Sequence, residues 1–225
     1  MIIPQDAAPK FALPQSVTSD EQTDASPPAY EPPQPHSIAP PNIKPTNYIS
    51  LTRRLGEVNG TFVLDPTLQI PLSLRNPLRS KAHVNISAFM GEIKAVVYVV
   101  GSESLPSGDK TRIEVSARMG STKLVLHAPE RRAPISVSVN SRFGETTLLL
   151  PRSFHGPLHQ SNKLGEITLS PALKARAASF GNRLFIGEWT EEEAKAKIWP
   201  GDEAAVDSAL GTVYVGYSDE QKAGC

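Results

Sequence analysis

Cysteine is almost missing from this 225-residue chain: the one copy, Cys225, is the last residue. No disulfide can close within the chain, a composition that fits a reducing compartment. Net charge is missing too, with 23 basic residues against 23 acidic ones. Bulk electrostatics therefore give no reason to expect a nucleic-acid partner or an anionic membrane surface. No apolar run reaches the roughly 18 residues of a membrane-spanning helix. The opening Met1-Ile2-Ile3-Pro4-Gln5-Asp6 lacks the basic and apolar regions of a secretory signal. An intracellular, cytoplasmic location is the expectation. Also absent are a G-x-S-x-G elbow, a G-x-G-x-x-G or P-loop run, and any Cys/His cluster with metal-ligand spacing. No cofactor and no metal are expected.

Glycine is absent from residues 1–47, which hold 11 of the 21 prolines and few large apolar side chains. Such a segment cannot bury enough surface to offset its ordering entropy, so residues 1–46 read as a disordered arm with polyproline II bias. Within it, Pro27-Pro28-Ala29-Tyr30 is a Pro-Pro-x-Tyr tetrapeptide. Pro27 and Pro28 arrive preset in the extended helix that an aromatic-lined WW-domain groove accepts, and Tyr30 fills a second pocket. A WW-domain protein is the expected partner of the arm.

The rest of the chain holds all 15 glycines, and six of them head a repeated unit: Gly56, Gly91, Gly120, Gly144, Gly165 and Gly211. With glycine as position zero, the −1 residue is apolar in every copy (Leu55, Met90, Met119, Phe143, Leu164, Leu210). Apolar residues alternate on both sides, the period of a strand with one face buried. The inward register slips by one residue at glycine, which tolerates the left-handed backbone of a corner. Each unit reads as strand, corner, strand, with the −1 residues expected in the core. The fold class is all-β, a β-solenoid or related sandwich of about six such units over residues 47–218, followed by a flexible tail at 219–225. The last spacing is 46 residues, and an insertion at 171–200 is expected there. It comprises a short helix over Ala172–Phe180 and a second over Ala194–Ile198 behind the capping box Thr190-Glu191-Glu192-Glu193.

Charge marks the corners. Position +1 is Glu57, Glu92, Glu145 and Glu166 in four copies, and position −2 is Arg54, Arg118, Arg142 and Lys163 in four. These form either a ladder of cross-strand ion pairs, each contributing about 0–1 kcal/mol, or a surface row that a ligand reads. Ser153 and His155 in the Leu150–His159 run are the best catalytic suspects, for a hydrolase. They lack a strained elbow and a nearby acid, so the run reads as a crossing between units with Phe154 buried. Trp189, Trp199, Phe185 and Ile186 are expected to anchor the insertion on the core.

The order of motifs carries a resemblance. The Pro-Pro-x-Tyr arm leads into Asn47-Tyr48-Ile49-Ser50-Leu51, then Gly60-Thr61-Phe62-Val63-Leu64-Asp65-Pro66 and Leu150–Leu158. Phe185-Ile186-Gly187-Glu188-Trp189, Trp199-Pro200-Gly201-Asp202-Glu203 and Gly211-Thr212-Val213-Tyr214-Val215 follow. The chain resembles a fungal, mushroom-type family built around one domain of unknown function, and more distantly adhesin-like domains of stacked β arcs. The family resemblance implies no catalytic residue. The leading expectation is a non-enzymatic intracellular interaction module. An adhesin-like or envelope structural protein is the alternative; the sequons at Asn59 and Asn85 read as incidental and matter only to a secreted chain, where their glycosylation would favour it. The sequence does not specify an oligomeric state.

Overall fold

The computed structural model describes residues 41–68, 82–101, 109–181, 183–191 and 199–220. Among them are fourteen strands. Six consecutive pairs form the repeated units: β1 (Ile49–Leu55) and β2 (Val58–Leu64), β3 (Val84–Met90) and β4 (Ile93–Val99), β5 (Thr111–Met119) and β6 (Thr122–His127), β7 (Ile135–Phe143) and β8 (Thr146–Leu150), β9 (Gly156–Leu164) and β10 (Ile167–Leu169), and β13 (Glu203–Leu210) and β14 (Val213–Tyr217). Between the last two pairs lie α1 (Pro171–Arg176), β11 (Ala177–Phe180) and β12 (Arg183–Ile186).

The first strand of each pair enters an eight-stranded sheet of order β1-β3-β5-β7-β13-β9-β12-β11, and the second enters a six-stranded sheet of order β10-β14-β8-β6-β4-β2. All pairings between units are parallel and in register, so corner residue stacks on corner residue. The result is a stack of two-sided coils, as the alternation and corner glycines predict. One feature of its order was not foreseen. The sixth coil, β13–β14, lies between the fourth and the fifth: β13 pairs with both β7 and β9, and β14 with both β8 and β10.

The two sheets enclose one apolar core. Ile86, Val115, Val139 and Val206 at position −5 face Ile93, Leu124, Leu148 and Val213 from the other sheet, all buried. Position −3 is Ala88, Ala117, Ser141 and Ser208 in the four middle coils, small residues that fit the narrowing angle of the corner and are buried. The core ends there. The −1 residues are exposed: Leu55 70%, Leu164 67%, Met90 43%, Met119 43%, Phe143 48% and Leu210 45%. This corrects the expectation that they fill the core. Strict alternation turns them inward, but the opposing strand begins only at +2, so no facing side chain exists to cover them.

The corner glycines form a column. All six have positive φ, from 96° to 147°. A Cβ on Gly91 would lie 2.0 Å from the Gly56 carbonyl oxygen, and one on Gly120 at 2.0 Å from that of Gly91. The series continues through Gly144, Gly211 and Gly165. The backbone hydrogen bonds follow the same order, with Gly56, Gly91, Gly120, Gly144 and Gly211 each donating N–H to the −1 carbonyl of the next coil.

The insertion is less helical than its alanine content suggests. The helix covers Pro171–Arg176, with Ser170 as N-cap accepting from the Leu173 N–H and with Leu173 buried. Residues Ala177–Phe180, expected as helix, are instead a strand. They pair antiparallel with β12, which pairs antiparallel with β9 and so carries the eight-stranded sheet beyond the last coil. Pairing at a sheet edge outweighs the small helix preference of alanine. The second expected helix, at 194–198, lies outside the described residues, as do residues 1–40 of the arm and 221–225 of the tail. Thr46, at the end of the arm, pairs with Leu64, and Asp219 and Glu220 of the tail belong to a 3-10 turn over Ser218–Glu220.

The column yields a graded prediction. Gly56 heads the stack with nothing within 4 Å of an added Cβ, so Gly56→Ala incurs only backbone strain, about 1–2 kcal/mol. Gly120→Ala adds a backbone collision and should cost roughly twice as much or more. Chemical denaturation of the two variants, compared with wild type, checks the order.

Candidate functional site

The corners make one long edge of the molecule, and the sequence-derived charge rows flank it. Position −2 lies on the outer face of the eight-stranded sheet, where Arg54, Arg118, Arg142 and Lys163 are exposed. Position +1 lies on the side of the six-stranded sheet, where Glu57, Glu145 and Glu166 are exposed and Glu92 is partly covered. Between the rows run the exposed apolar −1 side chains. This apolar strip keeps the two signs apart: among the described residues, no ion pair joins a −2 cation to a +1 carboxylate. The glutamates that do pair use Lys94, at 2.8 Å from Glu92 and 3.9 Å from Glu57. Lys94 and the Ser121 hydroxyl hold the Glu92 carboxyl below its usual pKa, and Glu92 in turn raises that of Lys94.

On the sheet face beside the edge is a shallow groove of about 400 Å³. Its lining includes Arg53, Arg54, Arg118 and Arg142 and no carboxylate. Small polar side chains form its floor, with Ser87 Oγ donating to Thr52 Oγ1 at 3.0 Å. Arg118 lies over the Phe89 ring, 4.9 Å from its centroid. A chain of zero net charge thus carries a local concentration of positive charge.

The Ser153/His155 region is a structural joint. Phe154 is fully buried. The Ser153 hydroxyl donates to the Pro129 carbonyl at 3.4 Å, while His155 Nε2 contacts the Glu188 carbonyl. The imidazole packs edge-on against Phe185 and Trp199. With both groups so engaged, they form no nucleophile–base pair. Trp189 also stacks edge-on with Phe185, and Ile186 is buried, so these aromatics tie the insertion to the joint. Among the described residues no group of three His, Cys, Asp or Glu side chains converges as a metal site would require.

What holds the joint together was not legible in the sequence. Arg132 and Asp202 form a buried two-pronged pair at 2.7 and 2.8 Å, and the same carboxylate accepts the N–H of Ile135 and of His155. One aspartate thus fastens the chain ahead of β7, the crossing ahead of β9 and the start of β13. Nearby, Arg152 bonds Asp219 through Nε and lies 4.4 Å from the centroid of the buried Tyr217 ring. Burial, which outweighs the two arginines, raises the Tyr217 pKa. Asp202→Asn leaves the Arg132 charge buried without its partner. It should cost about 3–5 kcal/mol, read as a fall in the midpoint of denaturant unfolding.

Two half-buried histidines have lowered pKa values. Burial acts first on His83, reinforced by Arg112 and opposed by Asp109. Burial alone acts on His127, which stacks on Tyr98 at 4.7 Å. The unfolded chain therefore binds protons more readily than the folded one. Their contribution is complete above the unfolded value of 6.5 and is lost as pH falls through the lower folded values. Neutral His83 Nδ1 accepts the Arg112 N–H at 3.1 Å, a bond that protonation removes. Melting temperature should fall between pH 7.5 and 5.5, and less steeply in a His83→Gln/His127→Gln variant.

Among the described residues no helix is long and apolar enough to cross a membrane. No curated protein matches the chain. Among solved structures it is similar to a Clostridium sporogenes ATCC 15579 protein provisionally assigned to cell adhesion. The identity is 13% and the TM-score 0.37, over 76% of this chain and 93% of that one. Residues 47–220 match the family model described as a domain of unknown function. That match spans both sheets, every corner glycine and the joint, and the chain belongs to this family, Domain of unknown function (DUF7330).

Proposed function

We propose that the protein is a non-enzymatic interaction module. The observation that carries this reading is the corner edge: six exposed apolar side chains in one row, beside a groove lined by arginines and no carboxylate. Folded chains seldom leave contiguous apolar surface uncovered unless something binds it. The row Arg54, Arg118, Arg142 and Lys163 with Glu57, Glu92, Glu145 and Glu166 gives that edge an electrostatic pattern that a partner reads as it docks. A hydrolase reading has no support in the geometry around Ser153 and His155, whose hydrogen bonds point to different backbone carbonyls.

The proline-rich arm adds a second, independent contact. Pro27, Pro28 and Tyr30 lie outside the described residues, and their use rests on the chemistry of the tetrapeptide: a preset extended backbone and one aromatic anchor. In this reading the arm recruits a WW-domain protein while the β domain engages its own partner. Titration of the full chain onto an immobilised WW domain tests the arm. Tyr30→Ala should weaken binding by about tenfold or more, and unchanged binding removes the arm from the proposal.

A further inference from the structure

We infer that the corner edge is a self-association surface, and that its partner is a second copy of this chain related by a two-fold axis parallel to the coil stack. The inference rests on the reading of the edge as a working surface and names its occupant. Three observations carry it: the exposed apolar strip, the separation of the two charge rows by that strip, and the matching of charge within four of the six coils.

Where position −2 is cationic at a coil, +1 is acidic in the same coil at three places: Arg54 with Glu57, Arg142 with Glu145, and Lys163 with Glu166. Where one is neutral in the sixth coil, so is the other: Ala209 with Thr212. The second and third coils share one pair between them, Glu92 on one and Arg118 on the other. Within one copy this matching serves no pairing, because the apolar strip intervenes. Across two copies it does. A two-fold axis along the stack sets each coil opposite the same coil of the partner and exchanges the flanks. Every basic row then faces an acidic row while apolar strip meets apolar strip, the isologous arrangement of a symmetric dimer. A two-fold axis across the stack would set basic row against basic row, which like-charge repulsion disfavours. The surface therefore selects one orientation.

Six coils at about 4.8 Å spacing make a strip about 24 Å long. Three side chains wide, it offers roughly 400 Å² per copy, the size of a weak, concentration-dependent contact.

Sedimentation velocity of the full chain between about 5 and 300 µM tests this. Wild type should show a dimer that grows with concentration. An Arg142→Glu/Lys163→Glu variant should self-associate at least about tenfold more weakly, and so should a Glu145→Lys/Glu166→Lys variant. An equimolar mixture of the two should regain the dimer, since each now presents the sign that the other lacks. All of these positions are exposed, and unchanged melting confirms that the variants fold. Wild type that stays monomeric throughout, or a mixture that regains nothing, overturns the inference. Phe143→Asp separates the two levels of the reading. If wild type is monomeric yet a native-extract partner is lost with Phe143→Asp, the edge still binds but not to itself. If neither assembly nor capture changes, both readings fall.

Discussion

Everything in the β domain depends on one close approach: the corner of each coil rests on the backbone of the next, glycine on glycine. The hydrogen-bond ladder of each parallel sheet continues through the corner, from the glycine N–H to the −1 carbonyl of the adjacent coil. A side chain at the corner would push neighbouring coils apart at the point where both sheets meet. The column thus sets the register of both sheets together. A slip of one residue in either would move every inward side chain to solvent and would also put a Cβ into the column.

The same corner explains how a neutral chain carries a patterned edge. Just before the glycine the chain still belongs to one sheet, and just after it the chain belongs to the other. Side chains only three positions apart therefore end on different faces. Short sequence separation does not bring Arg54 to Glu57 or Arg142 to Glu145, because the turn splays them around the apolar −1 residue. The core stops at Ala88, Ala117, Ser141 and Ser208, small enough for the two sheets to converge. That convergence leaves the −1 side chain beyond the core with nothing opposite to cover it.

Strands and corners were legible because both have strong local signals, a period of two and a glycine with positive φ. The end of the core was not. Alternation predicts the direction of a side chain but not whether anything faces it, and the clue lay in the small residues at −3. Ala172 to Ala178 carries real helix preference, yet only its first part is helical, since pairing with β12 is a tertiary fact. The Arg132–Asp202 pair joins residues 70 positions apart, and nothing in the Trp199–Glu203 motif around Asp202 points to Arg132. Of the candidate site, the rows of charge could be read as rows. Their separation by an apolar strip could not, because it depends on the −1 residues lying uncovered beyond the end of the core.

The displaced sixth coil bears on how the molecule is made. A ribosome delivers coils in the order of the sequence, and the first four can stack as they emerge, each on an edge already present. The fifth cannot. Its strand β9 has its coil neighbour in β13, some forty residues further on, and β8 presents an open edge that belongs to β14. Until residues 203–217 are available, β9 can pair only with β12 on its outer side, β10 has no partner, and the fourth coil displays two unpaired parallel edges. The chain therefore carries an interval during synthesis in which its fifth coil must be kept off an edge of the wrong partner. The buried Asp202, which engages the crossing ahead of β9 only once the start of β13 arrives, marks the end of that interval.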